Sequence, residues 1–555
     1  MQSDTQAAGE LEGRDRVDDA EASRASTRPK LPDAVRPTAA PTDAVGGGPP
    51  VESAFAKQMR LAAESGTGSS ASMRRKPRRG RRSLFRFVLA LGVLPGSVAS
   101  GTTVYRRLQA ESPAATYPAA WDPAVAEAAA FVETARGLEF QHPVFVDFLP
   151  EAEFVALFET PVAAAEAASE STAAADHDAQ LDGGVLDAAA LATGYDPIDS
   201  QTISQTTILG FYDFDSERIT IRGTDVTAAV RLVLVHELTH VLQHQWFDPL
   251  TGGDDDFALR SVLEADAMRI EDAYLATLSD NDRAEAVTGT SSDEGTDAAL
   301  ASVPSPLVDQ AQAPYVLGPM FLAAVIERDG RAAVDGVYTQ LPTIEELIEP
   351  ALYGTSGPAP VVDVVAPAAA VVFDELRPWS MYDALLMLDA WLGWRDARTA
   401  LDGWNGSGFV AYEQGAAGGP VCFGAGVRFD AAEQASRFAV ALSAWAAASG
   451  SGAAPAVEGS VVRFEACARG EGAAEPPVSE VLTSEAVLIE HRLVADLEGR
   501  APTLAHPWYQ CVVRALIDDP SFADLVWVVE VSAEQQAIVD EAVNVARWLC
   551  GPQPG

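Results

Sequence analysis

Two imidazoles and a carboxylate fall within five consecutive residues, His236-Glu237-Leu238-Thr239-His240, in a chain with seven histidines in 555 residues. On a helix, positions four apart lie nearly one above the other, so both imidazoles leave one face and can grip a single divalent cation. The carboxylate of Glu237 can then take a proton from a water that the cation polarises. The run sits inside an apolar-periodic segment from Asp225 to Phe247. Its residues Val226, Val230, Val233 and Leu234 form a stripe for burial, and Thr224 or Asp225 can cap the start. The competing reading is a buried helix whose two imidazoles bond backbone carbonyls and hold no ion.

A catalytic zinc ion takes three protein ligands and keeps one position open. The run matches the HExxH pattern of zinc-dependent peptidases. A metzincin would place glycine at 243 and a third histidine at 246, where Gln243 and Trp246 stand, so that layout fails. A second helical stretch begins at Ser261, with Leu263, Ala267, Ile270 and Tyr274 at helical spacing and Glu264 among them. Two histidines from one helix and a glutamate from the next is the gluzincin layout, with Glu264 as third ligand. The alternative for Glu264 is a solvated helix carboxylate. Asp266 is a candidate to accept a free imidazole N–H and fix its tautomer. His244 is a poor rival ligand, because three residues at four-residue intervals drift around the helix and rise about 12 Å. It reads instead as a helix-end residue. Tyr212 and Tyr315 are the candidate donors for an oxyanion, each with an ordinary structural role as its alternative.

The segments around this run resemble a group of exported bacterial proteins described as gluzincin-like metallopeptidases. Ile208-Leu209-Gly210-Phe211-Tyr212-Asp213, the strand Arg218 to Arg222, the run from His236 to Asp248 and the Leu263-to-Ala267 helix follow that family's pattern. Ala313 to Gly318 and Pro342 to Pro350 resemble two further segments, and the likeness covers roughly residues 125 to 450. It implies a zincin-like fold, His236, His240 and Glu264 as zinc ligands, and Glu237 as general base. His244 stands where the family commonly has an acid, Ala265 where it has glycine, and Thr343-Ile344-Glu345 replaces a Ser-Thr-Glu. None of these departures touches the four residues of the chemistry.

The elements that must position this site read as α+β. A helix from Pro123 to Leu138, capped by Asp122, precedes a strand at His142 to Phe148. Residues 160 to 200 read as Ala-rich helix with a polar insert, and strands near Phe211 and Ile219 lead into the metal helix. An edge strand beside that helix is where zincins align a substrate backbone. Asp280 to Pro304 reads as a polar loop, followed by helices at Pro314–Glu327, Ala332–Gln340 and Ile344–Leu352. Gly357 to Pro367 is a linker or strand. From about Val371 the pattern is a second α+β module with a small antiparallel sheet: a helix from Tyr382, strands at Phe409–Glu413 and Val421–Phe429, a helix from Ala432 and a strand at Ser460–Cys467. It has no clustered ligands and supports rather than catalyses. The division is therefore a disordered tail at 1–83, a signal or membrane segment at 84–105, the zincin-like domain at 120–356 and the C-terminal domain at 371–555.

The net charge of −42 hides an asymmetry: residues 1–107 carry +7, the remainder −49, and no lysine follows Lys76. So acidic a body repels phosphate backbones, which excludes non-specific nucleic-acid binding. The arginine cluster at 74–82, the apolar stretch Phe87 to Leu94 and the small residues to Ser100 form a signal peptide counted from Met73, which is a candidate start beside Met1. Arg81-Arg82 also allows a twin-arginine route. Alternatively Leu84 to Tyr105 stays uncleaved and spans the membrane with the basic side inside; a buried soluble helix is the remaining option. Cys422, Cys467, Cys511 and Cys550 all follow this segment, and none has CxxC spacing. In an oxidising compartment they form two disulfides, with Cys422–Cys467 and Cys511–Cys550 the pairing expected from proximity, or else remain buried thiols. The function expected is an exported peptidase with one Zn2+ per chain, acting on a peptide or protein. A zincin-fold binding or envelope protein without catalysis, and a zinc hydrolase of a non-peptide bond, are the alternatives.

Overall fold

Alternating burial along Arg218–Arg222 turns Ile219 and Ile221 inward, and this short strand organises the first half of the molecule. In a computed structural model of the chain, the described residues are 117–157, 207–247, 256–290, 305–355, 359–415, 419–467, 482–500, 506–518 and 544–550, without 215 and 546. All of them belong to one compact unit, Ser53–Gly555. The tail at 1–83, the apolar segment at 84–105 and the Ala-rich stretch at 160–200 lie outside them. No helix among the described residues is long and apolar enough to cross a membrane.

The molecule mixes helix and sheet, as expected. Helix α1 (Ala126–Arg136) follows an Asp122 side chain that accepts the Ala124 amide at 2.8 Å, and it ends at Gly137 with φ +78°. The first sheet has three strands, β1 (Phe145–Leu149), β2 (Gly210–Asp213) and β3 (Arg218–Arg222), in the order β1-β3-β2. β1 runs parallel to β3 and β2 antiparallel to it, so β2 is an edge. Helix α2 (Ala228–Phe247) lies on this sheet and packs Val233, Leu234, Leu238 and Val241 against Tyr212, Ile219 and Ile221. It starts three residues later than its apolar period suggests, because Thr227 supplies the cap: its hydroxyl accepts the Val230 amide at 3.2 Å.

Helix α3 (Asp256–Leu275) crosses α2, and α4 (Asp280–Thr290) follows where the polar composition suggests a loop. Its start is held by Ser279, whose hydroxyl accepts the Asp282 amide, and its one apolar edge buries Ala286 against Ala228, Leu232 and Leu275. A stripe that narrow is invisible in composition. Helix α5 (Ser305–Asp329) begins nine residues before the expected Pro314 and runs through both Pro314 and Pro319. The short α6 (Ile344–Ile348) carries a reciprocal cap between Thr343 and Glu346.

The second sheet has five strands in the order β4-β5-β6-β8-β7: β4 (Val371–Arg377), β5 (Trp404–Glu413), β6 (Val421–Phe429), β7 (Ala456–Glu458) and β8 (Val461–Cys467). β4 and β7, the two edges, have no counterpart in the sequence reading. One face sets Phe409 opposite Ala425, and Phe423 opposite Ala411 and Ala466, beneath Phe438, Leu442 and Trp445 of α9 (Ala432–Ser449). The 359–366 segment is neither strand nor free linker. It crosses the other face, where the Val362 amide donates to Ser407 O at 2.9 Å and a Cβ at Gly408 would stand 1.8 Å from Val362 O. Helices α7 (Met381–Leu392), α8 (Trp394–Ala400), α10 (Thr483–Arg500) and α11 (His506–Ile517) complete this half. The cysteines pair as expected: Cys422–Cys467 joins β6 to β8, and Cys511–Cys550 ties the last described residues to α11.

The two halves share a core, since Ala313, Leu317, Met320, Ile344 and Ile348 pack with Trp379, Tyr382 and Leu385. A buried carboxylate strengthens the join. Asp309 of α5 accepts the Tyr382 hydroxyl at 3.0 Å and the backbone amides of Thr483 and Ser484, capping α10 from 174 residues away in sequence. Asp309→Ala leaves those buried donors without an acceptor. It is expected to lower unfolding stability by about 1–3 kcal/mol, read as a shift in the urea midpoint.

Candidate metal centre

The middle of α2 is buried without interruption from Leu232 to Gln243, so His236, Glu237 and His240 all sit at 0% exposure. Helix α3 brings Glu264 to the same point, also at 0%. His236 Nε2 lies 2.9 Å from His240 Nε2 and 3.1 Å from Glu264 Oε2, and His240 Nε2 lies 3.7 Å from that same oxygen. Ligands around a tetrahedral zinc ion stand roughly 3.4 Å apart when each bond is about 2.0–2.1 Å. The trio is therefore spaced to hold a metal ion.

The hydrogen bonds behind the trio make the same point. His240 Nδ1 donates to Gln243 Oε1 at 2.8 Å, and His236 Nδ1 to Glu271 Oε2 at 3.3 Å. With both protons on Nδ1, the neutral imidazoles turn two bare Nε2 lone pairs toward each other and toward a carboxylate oxygen. Three acceptors with no donor among them repel unless a cation lies between them. Without metal, that cation is a proton on His236. Burial alone would lower this imidazole's pKa, but Glu264 and Glu271 raise it to about 10. Burial raises the Glu264 carboxyl, yet the two imidazoles together hold it well below its usual range. Burial lowers His240, which stays neutral.

Neither oxygen of Glu237 has a hydrogen-bond partner. Burial, reinforced by Glu264, pushes its carboxyl up to about 8 against the pull of His236, and the Tyr212 backbone amide faces it without closing a well-formed bond. That amide is available because of strand register. Arg222 N bonds Leu209 O, and pairs alternate along an antiparallel ladder, so Tyr212 turns its own peptide groups away from β3.

The other expected residues go elsewhere. Asp266 meets neither imidazole. It is held by Arg136 at 2.7 Å, Arg269 at 2.6 Å and the Tyr338 hydroxyl at 3.0 Å, because a buried carboxylate takes guanidinium partners when they are in reach. The imidazole-orienting role falls to Glu271 and Gln243, which the sequence reading missed. Spacing could have found both, since Glu271 lies two turns beyond Glu264 and Gln243 one turn beyond His240. Tyr315 donates to Glu264 Oε1 at 2.9 Å and so steadies a ligand. Tyr212 Oη pairs with His244 Nδ1 at 2.8 Å. Each hydroxyl is engaged, and an oxyanion role would require giving up that bond.

Tyr315 reaches Glu264 because α5 and α3 approach closely one turn away. A Cβ at Gly318 would stand 2.0 Å from Ser261 O. No protein-family model, curated protein or solved structure matches the chain.

Two measurements test this geometry. Gly318→Ala forces backbone from backbone and is expected to cost about 1–3 kcal/mol, with looser metal retention as Tyr315 leaves Glu264. In metal-stripped protein, a raised His236 pKa gives stability that is complete below about pH 6.5 and lost as pH rises through about 10. Melting temperature should therefore fall across that window, and fall less in His236→Gln.

Proposed function

We propose that this chain is an exported zinc-dependent peptidase of gluzincin type, with a zincin-like core formed by the first sheet, α2 and α3. The carrying observation is Glu237: a buried carboxylate with both oxygens uncommitted, next to a His-His-Glu trio. A purely structural ion has no use for a base at that place. Bound between His236, His240 and Glu264, zinc would supply Lewis acidity to a scissile carbonyl and an acidified water. Glu237 takes the proton of the attacking water on a carboxylate oxygen and hands it to the leaving amine. Burial raises this carboxyl in the metal-free site, and a zinc ion beside it would draw it back toward the ionised form that a base needs. An extended substrate backbone would pair along β2 at Tyr212, whose peptide groups are not used by β3 and lie beside Glu237.

The substrate class is a peptide or protein. Two disulfides favour an oxidising compartment, in keeping with export through residues 84–105, either cleaved or kept as a membrane anchor. A second reading has one observation in its favour. All four site residues are fully buried, as in a metal site that only holds the fold together.

Metal analysis of the full chain and the Glu237→Gln variant separate the two. The expectation is about one zinc per chain, retained in the variant, with hydrolysis of a peptide library reduced about 10²–10⁴-fold. Zinc-loaded protein that cleaves no peptide favours the structural site or a non-peptide bond; protein that folds without taking up metal removes both.

A further inference from the structure

We propose that Gln243 is the positioning residue that locks the two ligand-bearing helices together, presenting His240 in its metal-binding tautomer and holding the backbone of Glu264 beside it. This rests on the metal-binding reading above.

Gln243 follows His240 by one turn of α2 and is itself at 0% exposure. The two ends of its amide have opposite characters: the carbonyl oxygen only accepts and the NH2 only donates. Nε2 donates to Leu263 O on α3 at 2.9 Å, which assigns that end of the side chain. Oε1 is then the atom 2.8 Å from His240 Nδ1, and the imidazole must donate to it. His240 is left with a bare Nε2 turned toward His236 Nε2 and Glu264 Oε2. Leu263 is the residue immediately before Glu264. One side chain therefore fixes the proton position on a ligand of α2 and ties down the peptide that carries the ligand of α3. Glu271 does only the first of these jobs, for His236.

A buried amide could instead serve general stability, so the test separates the two roles. Gln243→Met keeps the volume and removes both bonds. Gln243→Glu keeps an acceptor for His240 but, as a carboxylate, cannot donate to Leu263 O. Both are made in the full chain. Zinc affinity is measured by chelator competition, ligand geometry by the visible absorption of cobalt-substituted protein, and fold integrity by melting of the metal-stripped form. The Met variant is expected to lose about 10–100-fold in zinc affinity and to show a changed cobalt spectrum. The Glu variant should show a smaller loss with a changed spectrum. The inference is overturned if wild type binds zinc and the Met variant binds it within about twofold with an unchanged spectrum. Should the Met variant not fold, a Glu variant equal to wild type in affinity and spectrum overturns it. Wild type that binds no zinc overturns the metal-centre reading and this inference with it.

Discussion

Three electron-pair donors aimed at one point in an interior closed to bulk solvent cannot be left to themselves. His236, His240 and Glu264 converge within hydrogen-bonding distance, and the protons that could relieve them are drawn outward to Gln243 and Glu271. Solvent would screen such a cluster at the surface; at 0% exposure it does not. Much of the surrounding structure follows from this requirement. α2 is buried along a dozen consecutive residues, α3 is pressed against α5 at a glycine, and Tyr315 hydrogen-bonds the carboxylate from behind.

Next to this cluster lies a second, separate polar network. Asp266 is only two residues beyond Glu264, yet it turns to Arg136, Arg269 and Tyr338, and Arg136 also bonds Asp335. α3 thus carries two buried acids with opposite assignments. Glu264 faces imidazoles and Asp266 faces guanidiniums, and the helix's rotation between them keeps arginine charge out of the metal cluster. The second network fastens α1 and the short helical turn Val334–Val337 to α3 through Arg136 and Asp266.

The local arrangement was legible where a short spacing carries it. A four-residue interval predicts that His236 and His240 share a face, and a buried glutamate one helix later predicts the third member. The strand at Arg218 to Arg222 was found as well, and separation along the chain found both cysteine pairs. What the sequence hid depends on partners distant in sequence. Nothing near Asp266 signals that Arg136, 130 residues earlier, will claim it. The α4 helix hides behind polar composition because a single alanine edge suffices to seat it. Asp309 looks like any helical acid until α10 arrives to be capped. The edge strands β4 and β7 are short or irregular, with β4 shifting register twice along β5, so neither keeps the clean period of two that alternation needs.

The bridge between Cys511 and Cys550 has a practical corollary. Any single cut in the intervening stretch would leave both fragments covalently joined, so a nicked molecule would migrate as intact on a non-reducing gel and split only when thiol is added. The carboxyl-terminal end thus stays leashed to α11 after such a cut, and apparent resistance to proteolysis there would measure the leash as much as the packing.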